Sequence, residues 1–332
     1  MPFSTRIARV AIPALAFGVL VAVLVVYFER GFVPGDAFVY LAAGERLNDG
    51  HQLYAISPGD RPIEMKPPYW TVPLLSPPPI AVLFRPLAAL PHELGVYVWW
   101  AACVVAILAT ITALVARRPI LAGAALLVLA VPVAYELGVG NVNGFVLAGL
   151  VLAWFLFSRG KETAAGATLA AIAVLKVTPA VLVVWLIAER RWRAVGAFVA
   201  TGVALAAVSV LGAGFSPHLE YLGIARQTGA VGSSDLSLAG TARFLGVAPS
   251  IAALMPIGAL AIGVVAIWLL RDRPGLAFSA GVVTMVAASP VVNINWLAML
   301  MATLAPAAWA IQARHEERAR SGAREALSAV DG

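Results

Sequence analysis

Ten apolar runs, separated by polar segments of which two are long, are the feature that most constrains the fold of this chain. Of its 332 residues, 61% are hydrophobic and only 12% are charged, against about a quarter charged in an ordinary soluble domain. Runs of roughly 20 apolar residues can cross a bilayer as helices. The sequence therefore predicts an all-α polytopic membrane protein. The runs cover residues 10–28, 94–116, 119–137, 142–158, 163–175, 178–188, 193–213, 249–270, 275–289 and 296–312.

The first run, Val10 to Phe28, follows two arginines as a secretory signal would, but no small-x-small cleavage site comes after it. We expect it to be a retained first helix. The single cysteine, Cys103, lies inside an apolar run, so the chain cannot form an intramolecular disulfide. A formal net charge of +6 would suggest nucleic acid as the partner of a soluble protein. Here the basic residues are scattered at helix ends, which favours orientation signals, membrane lipids as surroundings and no nucleic-acid partner.

Basic residues also predict the topology. The runs 163–175 and 178–188 are too short to cross as ideal helices, and they flank Lys176. As a hairpin they place fifteen of the 23 basic residues on the cytoplasmic side, whereas a single span kinked at Pro179 leaves only eight there. The positive-inside tendency favours the hairpin. Both termini are then cytoplasmic, and the active site is expected on the outer face.

We expect a transmembrane domain over residues 1–313 with two large outer loops, 29–93 and 215–248, and a charged cytoplasmic tail over 314–332. The candidate active site lies in the first outer loop. Within that loop, Ala37–Leu47 and Ile80–Leu90 have apolar residues compatible with short helices along the membrane interface. Twenty arginines against three lysines, with abundant alanine, indicate a high-GC bacterial source and hence a plasma membrane.

Several charged residues have both a structural and a functional interpretation. Asp36 fits the N-cap of a short helix and also a reactive carboxylate at the boundary between water and lipid, and the two roles are compatible. Lys176 is either a lysine snorkelling from a helix end or a cation with an anionic partner. Arg243 lies on a possible short helix, where a solvated arginine is the commoner case. For Glu136, near the end of an apolar run, we favour a helix-end carboxylate that reaches water.

Common nucleotide, zinc and serine-nucleophile motifs are missing from the sequence. A different set of short segments follows in order along most of the chain: Gly35–Ala43, Gly50 with Leu53-Tyr54, Pro77–Ala88, Gly140–Asn143, Leu175–Pro179, Ser234–Arg243 and Ser289-Pro290. Together they resemble glycosyltransferase family 87, the bacterial polyprenol-phosphate-mannose-dependent mannosyltransferases of the GT-C class. After the Ser-Pro pair that family tends to have aromatic and histidine residues, whereas this chain continues Val291–Trp296.

The resemblance implies a GT-C-like bundle and an inverting transfer of a sugar, mannose in that family. The donor is a polyprenyl phosphate, and the acceptor is a glycolipid or another cell-envelope molecule. A departing phosphate monoester needs no proton, so the enzyme needs one general base for the acceptor hydroxyl and cations for the phosphate. The resemblance assigns the base to Asp36. No obligatory metal or other cofactor is expected, because cations already serve the leaving group. The substrate-binding candidates are Lys176 and Arg243, followed by Lys66, Arg85, Tyr40, Asn141 and Asn295.

Two other classes stay open, a polyprenol or lipid transporter and a noncatalytic membrane scaffold. Transporters often show internal hydropathy repeats and polar residues at mid-span. This sequence shows neither clearly, because its polar residues cluster at the outer ends of the runs. The missing family histidine favours the scaffold slightly. Release of sugar from a polyprenyl-phosphate donor by the purified protein discriminates among the three.

Overall fold

The fold is a bundle of helices. A computed structural model describes residues 3–31, 33–55, 74–227 and 235–309, and within these ranges every regular element is helical. The α-helices are α1 (Phe3–Glu29), α2 (Gly35–Asn48), α3 (Pro78–Phe84), α4 (His92–Arg117), α5 (Pro119–Val128), α6 (Ala130–Val139), α7 (Asn143–Ser158), α8 (Glu162–Leu175), α9 (Leu182–Ala188), α10 (Trp192–Ala213), α11 (Ser216–Gln227), α12 (Leu238–Phe244), α13 (Pro249–Ala252), α14 (Met255–Leu269) and α15 (Pro274–Ala287). Short 3-10 helices cover Leu87–Ala89, Thr178–Val181 and Ile294–Leu304.

Several of these helices are suited to a membrane. Within the described ranges, four are long and apolar enough to cross a bilayer, and α5 with α6 makes a fifth if the pair is one span bent by 73°. Shorter apolar helices cover the remaining predicted runs. The structure therefore agrees with an all-helical polytopic membrane protein, while the number of ten segments stays a prediction. The four long helices are Thr5–Glu29, His92–Arg117, Trp192–Ala213 and Pro249–Leu269.

Helix α10 illustrates the two kinds of surface that such a bundle has. Its outer side leaves large apolar residues such as Val199, Val203 and Leu211 exposed, an arrangement that suits lipid and not water. On its inner side α10 packs along α8. A Cβ at Gly166 of α8 would lie 2.1 Å from the carbonyl oxygen of Ala194 in α10. Even the Cβ of alanine would clash here, so glycine is required for the two backbones to approach this closely.

The interior consists of two hydrophobic clusters. The larger is built mainly from α5 to α9, α15 and the 3-10 helix Ile294–Leu304, and the smaller from α2, α3 and α4. Helix α2 contains the predicted helix Ala37–Leu47, and α3 with Leu87–Ala89 covers most of Ile80–Leu90. Both segments are therefore helical as predicted. Their position at a membrane interface stays a prediction, and the predicted tail 314–332 lies outside the described residues.

The hairpin topology is testable by cysteine labelling in intact cells. Ser57→Cys and Ser233→Cys, both outside the described residues, are expected to react with a membrane-impermeant thiol reagent, because the distribution of basic residues puts both loops outside. Arg193→Cys is expected to stay unlabelled until the cells are opened. The native Cys103 is fully buried, which keeps the background low. Labelling of Arg193→Cys in intact cells would contradict the hairpin.

Candidate active site

A network of polar side chains lies where the two hydrophobic clusters meet, and we call it the Asp36 network. Its members come from segments that are far apart in the sequence but converge at one end of the bundle. They are Asp36 of α2, Glu136 of α6, Asn141 of the α6–α7 turn, Asn143 of α7, Lys176 after α8, and Asn295 of the 3-10 helix Ile294–Leu304. Polar groups inside an apolar bundle are costly unless they are paired, so such a concentration makes this network the candidate functional site.

Asp36 lies in the first turn of α2 and is only partly buried. The N-cap position of α2 belongs to Pro34, and no side chain makes a capping hydrogen bond there, so the N-cap interpretation of Asp36 is wrong. Its Oδ2 instead accepts a hydrogen bond of 2.7 Å from Nδ2 of Asn141. In the described part of the chain nothing donates to Oδ1. One carboxylate oxygen is thus fixed and the other is available to a substrate.

The surroundings of Asp36 also affect its proton affinity. Desolvation raises the pKa of this carboxyl above the ordinary aspartate value, and the hydrogen bond from Asn141 and the charge of Lys176 offset part of that rise. A carboxylate with a raised pKa is a stronger proton acceptor than an exposed one. This is the property that a general base requires.

Glu136 is the fully buried centre of the network. Its Oε2 accepts hydrogen bonds from Nδ2 of Asn143 at 3.1 Å and Nδ2 of Asn295 at 2.8 Å. Its Oε1 accepts from the backbone N–H of Gly144 at 2.9 Å, in the first turn of α7. A carboxylate at a helix N-terminus satisfies free amides and interacts favourably with the helix dipole. Glu136 therefore joins α6, α7 and the 3-10 helix, and the expectation that it reaches water is wrong.

Lys176 supplies the positive charge of the network. It is buried, its ammonium donates to Oδ1 of Asn143, and the same ammonium lies 3.2 Å from the ring centroid of Trp296. It also interacts electrostatically with Glu136 and Asp36. The snorkelling interpretation does not fit this contact set, because the side chain points into the bundle and not to its surface. The direct contacts of the ammonium are a neutral amide oxygen and an aromatic face, with no carboxylate bonded to it among the described residues, so its charge can pair with an anion.

The turn between α6 and α7 brings Asn141 to Asp36. Gly140 adopts φ +67°, a left-handed conformation that favours glycine, and its Cβ position faces the Cβ of Ala37 at 3.2 Å. Two groups of α4 hold the turn: Nε1 of Trp99 donates to the Gly140 carbonyl at 2.9 Å, and the Cys103 thiol lies 3.6 Å from the Asn141 carbonyl. The turn is therefore fixed by α4 before any substrate binds.

Tyr40 lies one helical turn after Asp36 on α2 and is almost fully buried. Its ring packs edge-on against Phe84 and Trp99. Its hydroxyl has polar contacts with Ser76 and with the main chain of Val142 in the α6–α7 turn. In this structure Tyr40 helps to hold the wall of the site, and its predicted contact with substrate stays a prediction.

Arg243 lies outside the Asp36 network. Its Nη2 is 3.2 Å from Oδ2 of Asp235, and its side chain is 35% exposed. Asp235 is itself a tether, because its Oδ1 accepts from the backbone N–H of Ser237 at 2.8 Å and of Val292 at 3.1 Å. The segment that follows Val292 carries Asn295 and Trp296. Arg243 is thus connected to the network only through Asp235 and this segment.

The two remaining cations are placed differently. Arg85 donates from Nε to the Asn48 side chain and from Nη1 to the Gly212 carbonyl, each at 2.9 Å. Asn48 ends α2, about 18 Å from Asp36 along the helix. These contacts join α2 to the end of α10, so Arg85 acts structurally here. Lys66 lies outside the described residues.

With this geometry established, comparison with known proteins is informative. The sequence profile of glycosyltransferase family 87 matches residues 75–290, more than half of the chain. The chain belongs to glycosyltransferase family 87. Of the Asp36 network, this match includes Glu136, Asn141, Asn143 and Lys176; Asp36 lies well before its start, and Asn295 lies shortly after its end. The family predicted from short sequence segments is therefore confirmed.

One curated relative of this family 87 chain is the polyprenol-phosphate-mannose-dependent alpha-(1-2)-phosphatidylinositol pentamannoside mannosyltransferase of Mycolicibacterium smegmatis. It is 26% identical over 250 residues, which cover 70% of this chain and 58% of the relative. The chain thus spans less than two thirds of that protein's length. No solved structure matches the chain.

Proposed function

We propose that this family 87 protein is an inverting glycosyltransferase that moves a sugar, mannose, from a polyprenyl phosphate to a lipid-linked or cell-envelope acceptor on the outer face of a bacterial plasma membrane. The observation that carries the proposal is the Asp36 network. It combines an accessible carboxylate oxygen with a buried ammonium in one cluster at the end of apolar helices. The activity for which the mycobacterial relative is named supports both the donor class and the sugar.

In the proposed reaction the acceptor hydroxyl approaches the free oxygen of Asp36. The carboxylate takes the hydroxyl proton as the acceptor oxygen attacks the anomeric carbon, and the bond from that carbon to the phosphate oxygen breaks. The phosphodiester donor carries one negative charge, and the released polyprenyl phosphate carries two. Negative charge thus develops on the leaving group, where a preorganised cation stabilises the transition state most. Lys176 is the cation of the network that can fill this role.

Asn141 and Glu136 position the two reacting groups without contacting the sugar. Asn141 fixes one oxygen of Asp36 and so orients the other. Glu136 fixes Asn143, whose amide oxygen holds the Lys176 ammonium. Asn295 is bonded to the same Glu136 oxygen, so the final 3-10 helix is part of this support. Displacement of such supports by about 1 Å can cost about a hundredfold in rate.

The direct test is transfer by the purified protein. With polyprenyl-phosphate mannose labelled in the sugar and a membrane lipid extract as acceptor, we expect label to move to a new product and polyprenyl phosphate to be released. A chelator is expected to leave the rate unchanged, since the monophosphate leaves without a metal. Donor that is moved across vesicle membranes but never cleaved would identify a transporter, and donor that is neither moved nor cleaved would identify a scaffold.

Arg243 can be tested separately as a partner for the donor phosphate. Charge-assisted hydrogen bonds are worth roughly 1.5–3 kcal/mol each, so Arg243→Met is expected to weaken donor binding by about tenfold or more. The matched control is Arg271→Met, another exposed arginine at a helix end. If Arg243 only pairs with Asp235, the partly exposed ion pair accounts for at most about 1 kcal/mol of stability, and donor affinity stays at the wild-type value.

A further inference from the structure

A second cationic site lies at the end of the bundle remote from the Asp36 network. Helix α7 begins at the network and ends at Ser158, about 24 Å away along its axis. There the α7–α8 and α9–α10 turns come together around an open cavity of about 710 Å³. Among the residues that line it are Lys161, Glu162, Arg190, Trp192 and Arg193.

The charges of this region divide into paired and unpaired ones. Arg191 donates to Glu162 at 2.7 Å and lies over the ring of Phe157, and Arg159 lies over the ring of Phe155. The three cations that line the cavity, Lys161, Arg190 and Arg193, are exposed, and their side chains have no partner among the described residues. Arg191 also lies 3.7 Å from the buried Glu189, so it is shared between two carboxylates. The lining itself has three cations against the one carboxylate Glu162, and the cavity is therefore net positive. Such a cavity suits an anion.

The backbone at Arg190 distinguishes this turn from the matching α7–α8 turn. The two turns have the same geometry: the N–H of Lys161 donates to Leu156 and the N–H of Arg191 to Leu186, each at 2.9 Å. The left-handed position is Gly160 in the first turn, with φ 71°, and Arg190 in the second, with φ 56°. Glycine is the ordinary residue at this position of a helix end, and an arginine there is strained. The strained side chain is also one of the cavity cations.

We propose that this cavity binds the phosphate head group of an anionic phospholipid of the leaflet opposite the Asp36 network. Three features favour a lipid over a free anion. The cavity lies at the ends of apolar helices. Trp192, 62% exposed at its rim, is an aromatic side chain of the kind found at membrane interfaces. Helix α10 extends from the cavity and exposes Val199 and Val203, along which acyl chains can lie. Basic pockets between membrane helices are known to bind such head groups.

The test uses the purified full chain in a non-ionic detergent. Native mass spectrometry measures how much phosphatidylglycerol stays bound, compared with phosphatidylcholine of the same acyl chains. We expect one retained phosphatidylglycerol and little phosphatidylcholine. Each cation near an anionic lipid contributes about fivefold in affinity, so Lys161→Gln/Arg190→Gln/Arg193→Gln is expected to weaken retention by about a hundredfold. The control Arg117→Gln/Arg271→Gln/Arg273→Gln removes the same charge from other helix ends and is expected to retain the lipid.

Arg190→Gly tests whether the cavity itself, and not the overall positive charge of this surface, binds the lipid. It relieves the left-handed strain, so the melting temperature in lipid-free detergent is expected to stay equal or rise, while phosphatidylglycerol retention falls. Unchanged retention in Arg190→Gly and in the triple variant would overturn the proposal, as would an equal loss in the control triple. Stabilisation by inorganic phosphate equal to that by phosphatidylglycerol would overturn the lipid assignment in favour of a free anion.

Discussion

Asp36→Asn is expected to lower the rate of sugar transfer by at least about a hundredfold while donor binding and folding are retained. Positioned general bases typically contribute about a hundredfold to ten-thousandfold. Asparagine has nearly the same shape as aspartate and keeps an oxygen that can accept from Nδ2 of Asn141. It cannot take the proton of the acceptor hydroxyl. Single-turnover transfer with saturating donor, together with a donor-binding measurement, checks both parts.

The pH dependence provides an independent readout for Asp36. The base must be ionised to act, and desolvation raises its pKa, so the rate of transfer is expected to rise with pH through a value above the ordinary aspartate range. The residual activity of Asp36→Asn is expected to lack this limb. Asn141→Asp replaces the amide that donates to Asp36 with a second carboxyl group. This change is expected to raise the pKa of Asp36 further, so the rise in rate should move to higher pH. Near-normal transfer by Asp36→Asn with an authentic acceptor would show that the aspartate is not the base.

Lys176→Met is expected to weaken donor binding by about tenfold to a hundredfold and also to destabilise the protein. The first effect is the loss of a charge-assisted contact to the donor phosphate. The second arises because Glu136 interacts with the Lys176 charge across Asn143 and would remain buried without it. The cost is expected to lie below the about 3–5 kcal/mol that is typical of breaking a direct buried ion pair. Methionine keeps the apolar stem, so packing changes little. Donor binding and thermal unfolding measure the two effects separately.

A double variant separates binding from stability. In Lys176→Met/Glu136→Gln the uncompensated charge is gone, so part of the lost stability is expected to return. Recovery is only partial because glutamine has one acceptor oxygen for three donors. Donor affinity is expected to remain low, since the cation is still absent. Recovery of donor affinity together with stability would mean that Lys176 acts only through folding.

Three residues of the network, Asp36, Asn141 and Lys176, lie in short segments with the family pattern, whereas Asn295 lies in Val291–Trp296, where the chain departs from that pattern. Asp36, Asn141, Lys176 and Asn295 were each placed near the substrate, and the structure brings all four into one network. Arg85 and Arg243 also lie in family segments, but their partners are local protein groups. A segment pattern does not show which way a side chain points. That direction distinguishes the residues of the Asp36 network from Arg85 and Arg243.

Glu136 could not be assigned from the sequence for a physical reason. A carboxylate near the end of an apolar run is normally solvated, and nothing nearby in the sequence indicates otherwise. Its burial depends on Asn295, which is 159 residues away, and on the start of α7. The nearest sequence signal is Asn143, seven residues after Glu136 in the segment Gly140–Asn143. Its side chain donates one of the hydrogen bonds that Glu136 accepts. The bend of 73° between α5 and α6 was likewise invisible in a continuous apolar run.

The connection between Glu136 and Asn295 has a consequence for biogenesis. A membrane protein is synthesised and inserted from its N-terminus, and Asp36, Glu136 and Lys176 all enter before the 3-10 helix Ile294–Leu304. Until that last segment arrives, Glu136 lacks the Asn295 amide and Lys176 lacks the Trp296 ring. Unpaired polar groups of this kind favour alternative partners within the membrane. The Asp36 network is therefore incomplete until the 3-10 helix Ile294–Leu304 has been inserted, so a nascent chain that stops before this helix is expected to lack the proposed transfer activity.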